Sequence, residues 1–197
     1  MRADAARRRV ALVREARRLF AENGSDVALD AVAEGAGVGI ATLYRNFESR
    51  AALVEQVGLA ILADLRSATT QAAADLPRNP GHAWRAYVDQ LVALDLGALT
   101  AALSPDLAGA LHGPVSDAQQ LSLAAVESLL VGVRAAGLVP ADLGALELVV
   151  AVGIVTRPQP EAVRQAAPHL VDRLVDVLLA GLLARAGVEA AARVRPT

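Results

Sequence analysis

Residues 35–47 read GAGVGIATLYRNF, with glycines at 35, 37 and 39. Two readings compete for this stretch. One is a backbone loop that cradles phosphate. The other is a tight turn followed by a short helix slim enough at its start to enter a groove of DNA. A phosphate loop of the GxGxxG type needs a strand before it and a helix opening behind it. The preceding LDAVAEGA (29–36) has helical spacing, no β-rich segment lies near, and Ile40-Ala41-Thr42 offers no third glycine at the required place. The turn reading meets its own demands. Ala33 is small where two helices must touch. Gly37 stands where a positive φ is needed, and Val38 and Leu43 are apolar plugs that set a crossing angle. Gly39, Ile40, Ala41, Thr42, Tyr44, Arg45 and Asn46 are then left facing outward, with small side chains first and polar ones after. The plain alternative is an ordinary helical hairpin.

The rest of the 197-residue chain is read from this turn outward. Hydrophobic residues make up 54% and aromatics 3%, so small and aliphatic side chains carry the apolar load, as in helical proteins. Cysteine is absent, which excludes disulfides, thiolate metal sites and cysteine nucleophiles. Residues 1–18 hold seven arginines against Asp4 and Glu15, while the whole chain has a net charge of −2. A basic start on an acidic body points to one end that meets a polyanion, the bland alternative being a solvated helix face. The start is too charged for a signal peptide. LELVVAVGIV (146–155) falls far short of the roughly 20 residues that span a bilayer. The sequence therefore reads as a soluble, cytoplasmic protein without membrane contact.

Periodicity and breakers predict nine helices and no sheet, over 4–22, 29–35, 40–46, 50–75, 82–103, 106–112, 115–136, 140–156 and 161–186. Asp4 and Ser49 are read as caps, Pro140 as a first-turn residue and Gly187 as a stop. The last two helices are apolar nearly all round, which implies burial on two sides. In a chain this small the second side fits another subunit, with Leu148, Val152, Leu170, Leu174, Leu178 and Leu182 as the candidate seam. An enzyme finds little support. His82, His112 and His169 are isolated from any metal-ligand spacing, and Ser104, Ser116, Ser122 and Ser128 lack a nucleophile context. Asp89 and Asp95 read as ordinary helix residues. No metal, cofactor or catalytic residue is expected.

Leu12-Val13-Arg14-Glu15-Ala16-Arg17-Arg18-Leu19-Phe20, then Gly24, Val32-Ala33, the run from Ala36 to Arg50 and Leu53-Val54 together resemble the TetR family of transcriptional regulators. The GVGxxTLYRxF form is similar to a large actinobacterial subgroup. The likeness covers about the first 55 residues, and beyond them it lies only in helix number and order. It implies an all-α homodimer with a helix-turn-helix DNA-binding domain (1–48) and an effector-binding and dimerisation domain (49–197). It also implies binding of a palindromic operator, commonly as a repressor, and release by a small molecule. By the same resemblance Thr42 and Tyr44 bond phosphates and Arg45 reads a base or phosphate. Asn46 lies beside them, and Gly39, Ile40 and Ala41 lie against the groove floor. Arg50 anchors a phosphate where the family usually has lysine, and Arg7, Arg8 and Arg9 reach the backbone or minor groove. Two departures stand out: Ala28 replaces the family's usual Ser or Thr, and Gly39 replaces its serine. Each removes a hydroxyl and leaves more of the affinity to arginines and salt-dependent terms. For a small hydrophobic effector the candidate lining is Trp84, Tyr87, Leu91 and Asp95, which recur at helical spacing, with Leu62 and Leu65. The same residues also read as plain core and rim. A helical protein-interaction module with a non-functional DNA motif is the alternative function.

Overall fold

Two helix starts are fixed by a side-chain oxygen, one where the sequence puts it and one two residues earlier, at Pro80. Ser49 accepts a hydrogen bond from the Ala52 N–H at 3.1 Å, and Asn79 accepts one from the His82 N–H at 3.2 Å. Each satisfies an N–H that the helix itself leaves orphaned. The computed structural model describes residues 2–23, 27–94, 96, 113–157 and 159–194. Its helices are α1 (Arg2–Asn23), α2 (Leu29–Gly35), α3 (Ile40–Asn46), α4 (Arg50–Asp75), α5 (Pro80–Ala93), α6 (Pro114–Ala135), α7 (Ala145–Val155), α8 (Glu161–Ala166) and α9 (Leu170–Val194). The described residues contain no strand.

Gly37 has φ +69°. Its N–H donates to the Glu34 carbonyl at 2.9 Å, and the Val38 N–H reaches back to the Ala33 carbonyl at 2.9 Å. This pair of bonds ends α2 and aims the chain into α3. Gly137, at φ +71°, closes α6 by the same pattern.

The apolar faces meet in two cores joined by α4. Leu12, Ala16 and Phe20 of α1 pack with Val32, Leu43, Phe47 and the first half of α4, through Ile61. The second half of α4 contributes Leu65, Ala68 and Ala72 to a larger core with α5, α6, α7 and α9. The first core does not stop at residue 48: it includes Leu53, Val57, Ile61 and also Leu96.

Several boundaries differ from the sequence reading. α1 begins at Arg2, so Asp4 lies in its first turn, where it pairs with Arg7. α5 ends at Ala93, not 103; the Leu94 N–H is shared between the Gln90 and Leu91 carbonyls, which tightens the last turn. The remainder of that predicted helix, apart from Leu96, and the helix predicted over 106–112 lie outside the described residues. α7 starts at Ala145, and Pro140 sits in the turn before it. The reason is a cap supplied from α6. Glu127 Oε2 accepts the Ala145 N–H at 3.0 Å, while Arg134 donates to both Glu127 and the Leu143 carbonyl at 2.6 Å. The predicted final helix is two helices. Pro168 lacks an N–H, and the residue before a proline is pushed from helical backbone; Ala167 accordingly has φ −139° and ψ 66°. Gly187 does not stop α9, which continues to Val194.

Within the second core Tyr87 is 1% exposed. Thr69 Oγ1 donates to the Leu65 carbonyl at 2.7 Å, so the Tyr87 hydroxyl, 3.1 Å away, donates to Thr69. Burial pushes the Tyr87 hydroxyl up to about 12.

The capping geometry yields one pair of expectations. Ala28→Ser supplies the missing oxygen to α2 and should raise stability by about 1 kcal/mol, whereas Gly37→Ala forces a Cβ into left-handed backbone and should lower it by about 1–2 kcal/mol. Urea midpoints at unchanged slope measure both. Tyr87 yields a second. With no lysine or cysteine and two tyrosines in the chain, few groups titrate at alkaline pH. The folded state keeps the Tyr87 proton after the unfolded chain has lost it near pH 10, so folding stability should fall as pH rises from 10 to 12. Tyr87→Phe should flatten that fall in urea titrations taken across this range.

Candidate nucleic-acid interface

α3 is seven residues long and owes its position to neighbours, since so short a helix has little stability of its own. Leu43 and Val38 plug it against the first core. That leaves Tyr44 at 53% exposure, with Gly39, Ala41 and Arg45 exposed and Thr42 and Asn46 half-buried. Ile40 is half-buried and packs on the core, so its side chain is less free to meet a groove than the sequence reading has it. Asn46 Nδ2 donates to the Thr42 carbonyl at 2.7 Å, and Arg45 Nε to the Ala41 carbonyl at 3.2 Å. Neither α2, behind Ala28, nor α3, behind Gly39, receives a side-chain cap.

The basic segment divides sharply. Arg8 and Arg14 are exposed, and Arg7 pairs with Asp4. Arg9 turns inward: Nη1 donates to the Asn46 carbonyl at 2.7 Å, and the guanidinium lies 4.4 Å from the Phe47 ring centroid. Arg50 does likewise, donating to the Val27 carbonyl at 2.5 Å with its guanidinium 5.2 Å from the Phe20 ring centroid. Arg18 bridges Glu15 and Glu22 and holds the Glu15 carboxyl below the usual carboxylate range. Arg17 links α1 to Asp64 of α4 at 2.5 Å and to the Leu94 carbonyl at the end of α5 at 3.2 Å. A count of arginines sees all seven alike; their acidic partners at i±3 and i±4 (Asp4, Glu15, Glu22) were the available signal for three of the pairings.

The other candidate residues separate by face. Leu65, Trp84, Tyr87 and Leu91 come together, but as packed members of the second core. The Trp84 and Tyr87 ring centroids are 5.9 Å apart. Leu62 is half-buried, and Asp95 lies outside the described residues. Of the six seam residues only Leu174 is exposed. Leu148 and Val152 are 1% and 0% exposed, Leu182 joins the same core, and Leu170 and Leu178 are half-buried. On these two helices the large apolar residues left outside are Leu146, Val150 and Ile154 of α7, and Leu174, Val177, Leu183 and Val188 of α9. A shallow open groove of about 740 Å³ lies between α6 and α7, lined by Leu123, Ala124, Leu146 and Val150 among others. Among the described residues no helix is long and apolar enough to cross a membrane.

Comparison with known proteins agrees at both ends of the chain. Residues 12–57 match the family described as bacterial regulatory proteins, tetR family. Residues 79–184 match the C-terminal domain of SbtR-like transcriptional regulators. The crystal structure of the TetR transcriptional regulator SCO0520 from Streptomyces coelicolor is similar at 30% identity and TM-score 0.64, over 88% of this chain and 97% of that one. A TetR transcription regulatory protein from Mycobacterium vanbaalenii is similar at 30% identity and TM-score 0.56, over 92% and 98%. No curated protein matches the chain. With the helix-turn-helix at one end and this helical domain at the other, the chain belongs to the TetR family of transcriptional regulators.

Proposed function

We propose that the protein is a ligand-responsive repressor that binds a palindromic operator as a homodimer, in the cytoplasm, and acts by binding alone, without catalysis. The observation that carries this reading is α3 itself. The Gly37 turn fixes a short helix whose exposed face is Tyr44, Arg45, Ala41 and Gly39, with Thr42 and Asn46 at its edge. Small residues at its start allow close approach to base edges, and the polar ones that follow suit phosphates and bases. Arg8 on α1 adds an exposed charge, while that of Arg7 is offset by its pair with Asp4. Residues 1–48 form the DNA-binding part and 49–197 the effector and dimerisation part.

The dimer forms through the outward apolar faces of α7 and α9. Both helices have a second apolar stripe already buried in their own core, so the exposed Leu146, Val150, Ile154, Val177 and Leu183 are free to pack against a second copy. Two recognition helices then enter successive major grooves, about 34–36 Å apart or somewhat more. A small hydrophobic effector binds beside the Trp84–Tyr87 wall of the second core. It displaces the distal half of α4 and the end of α5, and both reach the DNA-binding part through Arg17 and Leu96. A coupling of about 1–3 kcal/mol suffices for a 5–150-fold change in operator affinity.

Two expectations follow from the proposed surfaces. Duplexes selected from a random library by the wild-type protein should be imperfect palindromes, and binding should weaken steeply with salt. Tyr44→Ala with Arg45→Ala should cost at least about 100-fold in affinity while the dimer persists; an unchanged affinity would favour a protein-interaction module. Separately, Val150→Asp with Ile154→Asp should halve the mass seen by light scattering and weaken operator binding in parallel. A dimer that survives both substitutions places the seam elsewhere.

A further inference from the structure

The resemblance assigns Arg9 to the DNA backbone or minor groove, yet its guanidinium is directed into the protein. Nη1 lies 2.7 Å from the carbonyl of Asn46, the last residue of α3. The same group stacks over the buried Phe47 ring at 4.4 Å. At this helix end Phe47 N–H takes the Leu43 carbonyl, while the carbonyls of the final turn have no helical partner. A cation there also meets the negative end of the helix dipole. Arg9 thus supplies two contacts to one helix terminus, a charge-assisted hydrogen bond and a cation–π stack.

We infer that Arg9 is a positioning residue for DNA recognition: it ties α1 to the C-terminal end of α3 and thereby sets the angle at which Tyr44 and Arg45 are presented. The requirement is for a planar fork that can stack and donate at once. Lysine keeps the charge and can donate, but its compact ammonium cannot lie flat on the ring while it donates. Arg8, the adjacent exposed arginine, is the phosphate-contacting member of the pair. This inference rests on the proposed DNA-binding role of α3, and its test separates the two.

The experiment compares wild type, Arg8→Gln, Arg9→Gln and Arg9→Lys on a duplex selected by the wild-type protein, across a salt series, together with peptide-level hydrogen exchange of the DNA-free proteins. A lost phosphate contact lowers the slope of log affinity against log salt by about 0.9, and Arg8→Gln should show this. Both Arg9 variants should lose on the order of tenfold in affinity, the scale of one charge-assisted hydrogen bond, with the wild-type slope retained. In both, amide exchange over residues 38–48 should quicken while α4 stays protected. Rescue of affinity by Arg9→Lys, a slope reduction in Arg9→Gln like that of Arg8→Gln, or unchanged affinity would each overturn the positioning role. If wild type shows no salt-dependent binding, the DNA-binding reading fails. The exchange data then decide the tie between α1 and α3 alone, and unchanged exchange over 38–48 overturns it.

Discussion

α4 belongs to two hydrophobic cores at once, and the rest of the molecule is arranged around that constraint. Leu53, Val57 and Ile61 are packed with α1, α2 and α3, while Leu65, Ala68 and Ala72 are packed with α5 and α6. One continuous helix of 26 residues therefore carries both sets. Each fully buried Leu or Val on it contributes about 1.5–3 kcal/mol, so neither half can slide or rotate alone without exposing what it buries. A shift imposed on the distal half must be passed to the proximal half or absorbed as a bend. No proline interrupts the helix, and its interior glycine, Gly58, is buried next to Val57. A second joint runs parallel to it. Arg17 of α1 holds both Asp64 and the Leu94 carbonyl, Leu96 is buried in the first core, and Leu94 and Val149 touch both cores.

The small N-terminal part is built differently from the large one. α2 and α3 are each seven residues long and carry no side-chain cap. Helices that short are held by tertiary contacts and not by propensity. Arg9 and Arg50 supply such contacts: each donates to a backbone carbonyl and covers the face of a phenylalanine. A core with two phenylalanines and otherwise small aliphatic side chains gains from having their rings covered in this way. The same arginines are thereby drawn away from the surface where a polyanion would meet them.

The residues that decide the N-terminal half were legible because local chemistry dictates them. Gly37 needs left-handed backbone, Ser49 caps, and Leu12, Ala16 and Phe20 repeat at helical spacing; all stand where the pattern puts them. What the sequence could not show was set by partners distant along the chain. The start of α7 depends on Glu127 reaching across from α6. The break before α9 was written in Pro168 but was overridden, in the sequence reading, by an apolar run that continued on both sides. The candidate seam residues divide for a related reason. On a helix apolar all round, periodicity shows two stripes and does not say which faces inward; Leu148 and Val152 took the inner one and Leu146, Val150 and Ile154 the outer. Trp84 and Tyr87 lie together in the second core, but spacing cannot tell a packed wall from the lining of a cavity.

Charge shows the same division between composition and geometry. The excess of arginine in the first helix reads as a polyanion-binding face, yet Arg7, Arg17 and Arg18 meet carboxylates and Arg9 meets a carbonyl and a ring. Exposed ion pairs of this kind add little to stability, but they do lower the positive potential that α1 presents. The surface left to the proposed interface is thus less basic than the sequence count suggests. In the proposed dimer, binding by such a face depends on how accurately two copies of α3 are placed. That accuracy resides in the Gly37 turn, in the Arg9 and Arg50 contacts and in α4, all of which lie behind the face that would touch DNA.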